Sequence, residues 1–330
     1  MSSRRSATEW VSALSPWPKD GFGLERMRAL LAGLGDPQLR YPAVHVVGTN
    51  GKSTTARMTE ELLADAGLAV GTYLSPHVRG WSERIRIRGE EADFEQAIAA
   101  IRPQAEAHGA TQFESVTAAA LLAFAEAGVD AAVVEAGLGG RHDATNVLES
   151  RVVVLTNVAL EHTDVLGGTR EAIAAEKLAV VQPGSTAVIG EVEWKAIAEE
   201  NGAAAVVVAG GSNLALAVAA AESFLGRTVD PHVAEDISLP GRLDKRPELM
   251  LRALSVLGGT LVATESSSIR ALAAADLASL AEPYFEHVEA VADPADARRR
   301  GLDLAGPDGA VLVAGSLYLL ADLNDAGYNQ

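Results

Sequence analysis

Short apolar runs rich in Val, Ala and Leu alternate along most of this chain with longer Ala/Glu/Leu segments of helical period. A strand that is apolar at every position has to be covered on both faces, and the segment joining two such strands crosses over as a helix. The alternation therefore restricts the chain to βαβ units around a mostly parallel sheet, an α/β fold. Strands are expected at 44–47, 70–73, 131–135, 152–156, 187–189 and 204–208, with helices at 52–66, 93–107, 113–127, 170–180, 193–200 and 213–225. At 330 residues there is room for two such units, each with its own core. Leu239-Pro240-Gly241-Arg242 followed by Asp244-Lys245-Arg246-Pro247 reads as a linker and sets the domains at 1–240 and 241–330. Beyond it, helices at 248–257, 273–281 and 294–304 alternate with strands at 260–263, 287–291 and 310–314, a smaller Rossmann-like α/β domain that is thin in strands.

Charge narrows the function. Lys+Arg 27 against Asp+Glu 44 leaves −17, which opposes an electrostatic grip on nucleic acid or on an anionic membrane. Any nucleotide then has to be held by a local site. With no cysteine, disulfides and Cys-ligated zinc or iron–sulfur sites are excluded, and a cytoplasmic setting fits. MSSRRSATEW has no apolar stretch behind its arginines, and no window holds ~18 uninterrupted apolar residues, so neither a signal peptide nor a spanning helix is expected.

The strand at 44–47 runs straight into Gly48-Thr49-Asn50-Gly51-Lys52-Ser53-Thr54-Thr55, and a helix follows at once. Glycines let a backbone curl around phosphate oxygens, and successive N–H groups at a helix start supply positive charge. Lys52 would neutralise the outer phosphates, and a hydroxyl of Ser53 or Thr54 suits Mg²⁺. The strict phosphate-loop pattern has its first glycine where Val46 sits, so the match is one position short. A Gly/Asn turn capping an ordinary helix is the plain alternative.

Glu135 ends an apolar strand at the sheet edge where α/β folds place ligands, with an open turn from Gly137 to Gly140 behind it. His162 follows the next strand at the same edge. The long connection after Tyr73 holds Pro76, His77, Arg79, Trp81, Glu83 and Arg84. Arg84 and Arg86 suit the carboxylates of an acidic substrate, and Trp81 or Tyr73 a flat heterocycle. The alternation Ile85-Arg86-Ile87-Arg88 equally describes an edge hairpin.

Gly-Thr-Asn-Gly-Lys after a strand resembles the short phosphate loop of the Mur ligase superfamily, whose members activate a carboxylate with ATP and form an amide. Further motifs resemble one branch, the folylpolyglutamate synthase and dihydrofolate synthase family: Tyr73-Leu74-Ser75-Pro76-His77, Phe113-Glu114-Ser115, Glu135-Ala136-Gly137-Leu138-Gly139-Gly140-Arg141-His142-Asp143-Ala144-Thr145-Asn146, Glu161-His162-Thr163, Glu176-Lys177 and Leu239-Pro240-Gly241-Arg242. The resemblance implies ATP and Mg²⁺ as cofactors, with dihydropteroate or a folate and L-glutamate as substrates of a monomeric, cytoplasmic enzyme. It implies that Ser75, Glu135 and His162 hold Mg²⁺. It also implies a CO₂-derived carbamate on Lys177, an anion serving a second Mg²⁺. Catalysis then involves Lys52, Lys177 and His162, and ATP meets Gly48, Thr49, Asn50, Gly51, Lys52, Ser53, Thr54 and Arg242. Pro76, His77, Arg84, Phe113, Glu114 and Ser316 face the substrates.

Three departures stand out. Glu161 replaces the Asp usual before this His, and the chain passes from Pro240-Gly241-Arg242 to Met250-Leu251-Arg252 without the Asp-Gly-Ala-His-Asn-Pro motif of the family. A β-rich excursion before Ser212 is absent too. The expected function is an ATP-dependent glutamate ligase of folate and one-carbon metabolism. Its alternative is a nucleotide- or folate-binding homologue that keeps ATP binding and has lost ligation.

Overall fold

A computed structural model describes residues 6–18, 21–77, 80–237, 247–267, 271–307, 309–315, 319 and 322–323. The chain divides into two compact units, Met1–Pro76 with Trp81–Ser238 and His77–Gly80 with Leu239–Gln330.

The first unit runs α1 (Ala7–Ser12), α2 (Glu25–Gly33), β1 (Ala43–Val47), α3 (Lys52–Asp65), β2 (Val70–Tyr73), β3 (Ile85–Ile87), β4 (Glu90–Glu91), α4 (Phe94–His108) and α5 (Gln112–Ala127). It continues through β5 (Ala131–Glu135), β6 (Ser150–Leu155), α6 (Thr163–Leu166), α7 (Arg170–Leu178), β7 (Thr186–Ile189), α8 (Lys195–Glu200), β8 (Ala205–Val208) and α9 (Asn213–Leu225). Among the described residues the strands form one 8-stranded sheet, ordered β4-β3-β2-β5-β1-β6-β7-β8. Neighbours from β2 across to β8 are parallel, and β3 and β4 extend the sheet as an antiparallel edge.

Two-sided burial explains the unbroken apolar runs. On β1, Val44 and Val46 join a core with Leu62 and Leu63 of α3 and Leu216 and Ala220 of α9. Ala43 and Val47 belong to the cores on the other face. β6 splits the same way, with Val152 and Val154 on the α3/α9 side and Val153 and Leu155 against Ile173 and Leu178 of α7. The chain leaves β1 to build β2 and β5 on one flank, then crosses to β6, β7 and β8 on the other. The carboxyl end of β1 is thus the point where the winding reverses, the usual place for a ligand in such sheets.

Two helices before β1 had no expectation behind them. Ser6 and Glu9 open α1 with a capping box, and Trp10, Val11, Met27, Leu30 and Leu31 fill the core beneath α4 and α5. The helix expected at 193–200 is a short 3₁₀ turn, Val192–Trp194, leading into α8.

In the second unit α10 (Pro247–Leu254), β9 (Thr260–Ala263), α11 (Ala274–Ala281), β10 (His287–Ala290) and α12 (Pro294–Ala305) follow in turn, with β9 and β10 parallel. The strand expected at 310–314 is not formed. Val311 is 36% and Leu312 64% exposed in irregular chain, and β-propensity without a neighbouring ladder does not make a strand. No described helix is long and apolar enough to cross a membrane.

Candidate active site

β1 gives way to Gly48, with φ of 145°, and to Gly51, with φ of 78°, before α3 begins at Lys52. A Cβ on Gly48 would lie 1.9 Å from Thr156 Oγ1, and one on Gly51 would lie 2.3 Å from Asn213 Oδ1. Only glycine tolerates both the backbone and this packing. The segment after β6 fixes the loop. Asn157 accepts from the Thr49 N–H at 2.9 Å through its carbonyl and from the Asn50 N–H at 3.0 Å through Oδ1. The Thr156 hydroxyl donates to Asn50 O at 2.6 Å. No side chain caps α3 at Gly51, so its first-turn N–H groups and the positive end of its dipole are offered to an anion.

Behind the loop three segments meet on one carboxylate. Glu135, at the end of β5, is 1% exposed. Its Oε2 accepts a short hydrogen bond from the hydroxyl of the fully buried Ser53 and another from the Ser75 N–H at 2.9 Å. Ser75 follows β2 and is joined to Pro76 by a cis peptide bond.

Two amines reach the same carbonyl. Lys52 Nζ donates to Gly48 O at 3.2 Å, and Lys177 Nζ, arriving from α7, donates to it at 2.9 Å. Lys177 is buried rather than lying on a solvated helix face. The turn behind Glu135 carries α7 there: a Cβ on Gly140 would lie 2.5 Å from Lys177 O, and the Arg141 N–H donates to Glu176 O at 3.1 Å. His162, half-buried with φ of 52°, precedes α6. Leu166 of α6 would meet a Cβ on Gly139 at 2.8 Å, so this short helix lies against the same turn. Thr54 is half-buried in the first turn of α3. Among the described residues no three His, Asp or Glu side chains cluster to cage a metal. The donors at Glu135 and Ser53 instead suit a hard cation that completes its shell with phosphate oxygens and water.

Beside this centre stands an aromatic wall. The Phe113 ring lies 6.0 Å from that of Tyr73, and a Cβ on Gly137 would lie 2.5 Å from Phe113. The Arg84 guanidinium sits 4.5 Å over Trp81, which stacks on Phe94. Burial pushes the Tyr73 phenol up to about 12, against the pull of Arg84 and of the hydrogen bond with Thr117. Glu114 is taken up in opening α5, accepting from the Thr111 N–H at 2.7 Å and from Arg26 at 2.9 Å. Arg86 pairs with the buried Glu60 at 3.4 Å. Pro76 and His77 are half-buried, and His77 groups with the second unit. Arg79, Arg242 and Ser316 lie outside the described residues, as does the motif at 239–242.

Thr156, Asn157 and Asn213 were not singled out by the sequence. The available signals were polar residues directly after an apolar run and a Ser-Asn pair at a helix start.

The Mur ligase middle domain matches residues 46–229, more than half of the chain. The dihydrofolate synthase/folylpolyglutamate synthase of Haemophilus influenzae is 40% identical over 190 residues, 56% of this chain and 43% of that protein. The Escherichia coli protein of the same description is 40% identical over 189 residues, 55% of this chain and 45% of its own length. The chain thus matches less than half the length of these two curated relatives. Among solved structures, E. coli FolC in complex with DHPP and ADP is 27% identical with a TM-score of 0.79, over 98% of this chain and 97% of that one. A bifunctional folylpolyglutamate synthase/dihydrofolate synthase with Mn, AMPPNP and L-glutamate bound is 26% identical with a TM-score of 0.79, over 98% of each chain. The glycine loop, the Ser53–Glu135 contact and Lys177 all fall inside the matched stretch, and the chain belongs to the Mur ligase family, with folylpolyglutamate and dihydrofolate synthases as its relatives.

Proposed function

We propose that this chain carries the ATP-binding core of a Mg²⁺-dependent ligase that joins L-glutamate to the carboxylate of dihydropteroate or a folate. One observation supports it above the others: an uncapped helix start and two lysines meet around Gly48, directly in front of the buried Ser53–Glu135 pair to which the Ser75 N–H also donates. Gly48, Thr49, Asn50 and Gly51 would wrap the phosphates, Lys52 would take the outer ones, and the N–H groups of Ser53 and Thr54 would add to the cradle. Ser75, Glu135 and His162 would hold Mg²⁺, with the Ser53 hydroxyl alongside, and Lys177 as a carbamate would serve a second ion. When bound, Mg²⁺ offsets the charge that develops on the transferred phosphoryl group.

In the proposed reaction the substrate carboxylate takes the γ-phosphoryl group of ATP and releases ADP. The glutamate amine then attacks the resulting acyl phosphate, losing a proton as phosphate leaves. Phe113, with Tyr73 behind it, offers a face for the heterocycle, and Arg84 a cation for a carboxylate. Pro76 and His77 belong to the same substrate-facing set, while Glu114 acts by fixing the start of α5. The family resemblance adds Arg242 on ATP phosphate and Ser316 beside glutamate. We assign ATP binding to the first domain and a smaller ligase role to the second, in a monomer working in the cytoplasm without nucleic acid or membrane.

The binding-only alternative gains nothing from the relatives, which are described as synthases. The deciding experiment measures ADP release with ATP, Mg²⁺, L-glutamate and either dihydropteroate or a folate, with the glutamylated product identified by mass. Glutamate-dependent turnover is the expected result. Tight nucleotide binding without turnover overturns the ligase reading.

A further inference from the structure

A buried chain of polar side chains runs beside the site without entering it. His45, in the middle of β1, is 1% exposed, and its Nε2 lies 2.8 Å from Thr145 Oγ1. The Thr145 hydroxyl makes a short hydrogen bond to Asp143 Oδ1, and the Thr145 N–H reaches the same oxygen at 3.0 Å. Asp143 Oδ2 accepts from the Leu138 N–H at 2.7 Å. Thr145 thus spends its one proton on Asp143 and receives one from His45, which fixes His45 with its proton on Nε2. Buried polar groups are costly when left unpaired, and a network whose members satisfy one another fixes the geometry of the segments it joins.

The chain closes into a circuit. Leu138 lies three residues after Glu135, and the loop it begins runs through Gly140 and Arg141, which touch Glu176 and Lys177 of α7. Lys177 Nζ returns to Gly48 O, three residues beyond His45 and just past the end of its strand. We propose that His45, Thr145 and Asp143 are positioning residues that hold the turn at 137–141 as a spacer, setting Lys177 against the glycine loop and Glu135 beneath it. This rests on the ligase reading for its consequence in turnover and on the circuit alone for its consequence in structure.

The test uses Thr145→Val, which keeps the shape and removes the hydroxyl, Thr145→Ser, which restores it, and Ile101→Val, in the α4 core away from α7, as a core control of comparable loss in Tm. In bicarbonate-free buffer, acylation of Lys177 by acetic anhydride is followed by mass spectrometry relative to Lys195, whose side chain is 51% exposed. In Thr145→Val the relative rate is expected to rise about tenfold or more, with Thr145→Ser near wild type and the core control unmoved. His45→Asn is expected to give a smaller rise, and it carries the test if Thr145→Val does not fold. An unchanged Lys177 rate in the Thr145 and His45 variants, or an equal rise in the core control, overturns the proposal. With turnover in hand, kcat is expected to fall about tenfold in Thr145→Val with the KM for ATP little changed, because Thr156 and Asn157 hold the loop independently. Absence of turnover in the wild-type chain would overturn the ligase reading, and the acylation rates would still decide this one.

Discussion

Lys177 and Gly48, 129 positions apart in sequence, are joined where the lysine amine donates to the glycine carbonyl at 2.9 Å. The contact places a helix-borne amine beneath the glycine loop, at a depth that a solvated lysine does not reach. Lys177→Ala is therefore expected to lower glutamate-dependent ADP release by roughly a hundredfold, the order seen when a placed charge-stabilising group is lost. If the amine carries a carbamate, formate or acetate added to this variant restores part of the rate. A crystal grown with bicarbonate that shows a bare lysine amine would argue for the amine itself.

Lys52 makes a different prediction because it is half-buried and donates to the loop carbonyls of Gly48 and Thr49. Lys52→Ala is expected to weaken ATP binding by about tenfold or more, roughly 1.4 kcal/mol, with little change in Tm. Calorimetric titration and a thermal melt on one preparation check both halves, and unchanged affinity would contradict the first.

Gly48→Ala tests the packing of the loop. The new methyl would sit 1.9 Å from Thr156 Oγ1 on a backbone at φ of 145°. A loss of about 1–3 kcal/mol in urea denaturation is expected, together with loss of nucleotide binding. Adding Thr156→Ala removes the colliding hydroxyl but not the backbone strain, so the pair should be less destabilised than the sum of its singles.

The buried His45 predicts a pH dependence. Burial pushes its pKa from 6.5 down to about 3, so between these values the unfolded chain binds a proton that the folded chain does not. The contribution is complete above 6.5 and is lost as pH falls, by up to about 1.4 kcal/mol per unit. Asp143, raised by burial, works in the opposite sense, stabilising at low pH and fading as pH rises through its folded value. Denaturant melts at about pH 7, 6, 5 and 4 should show wild-type stability falling toward acid. His45→Asn should start lower and fall less steeply, and equal slopes would count against the assignment.

The six parallel strands were legible because residues such as Val133 and Val154 are apolar for a reason that reaches the sequence directly: both faces of their sheet are covered. Glu135 and Lys52 were legible from position, one ending such a run and the other following a glycine turn. Asn157 and Asn213 were not, because they reach the loop only once β6 lies beside β1 and α9 packs on α3, contacts across 107 and 158 positions. Glu114 shows the converse. A family pattern gives it to the substrate, while local chemistry spends it on a helix start and on Arg26. At 310–314 an apolar run suggested a strand, but pairing depends on a neighbour that composition does not reveal.

The two ends of the large sheet are chemically unlike. β4 consists of Glu90 and Glu91, both exposed, so any chain approaching that margin meets paired negative charge before it meets a free backbone group. β8 is Ala205-Val206-Val207-Val208, with Val208 45% exposed and no charged side chain along the strand. Unscheduled strand addition, the first step toward aggregation of a stressed preparation, is therefore directed to one margin. A single lysine at Val208 would place a charge on the margin that lacks one.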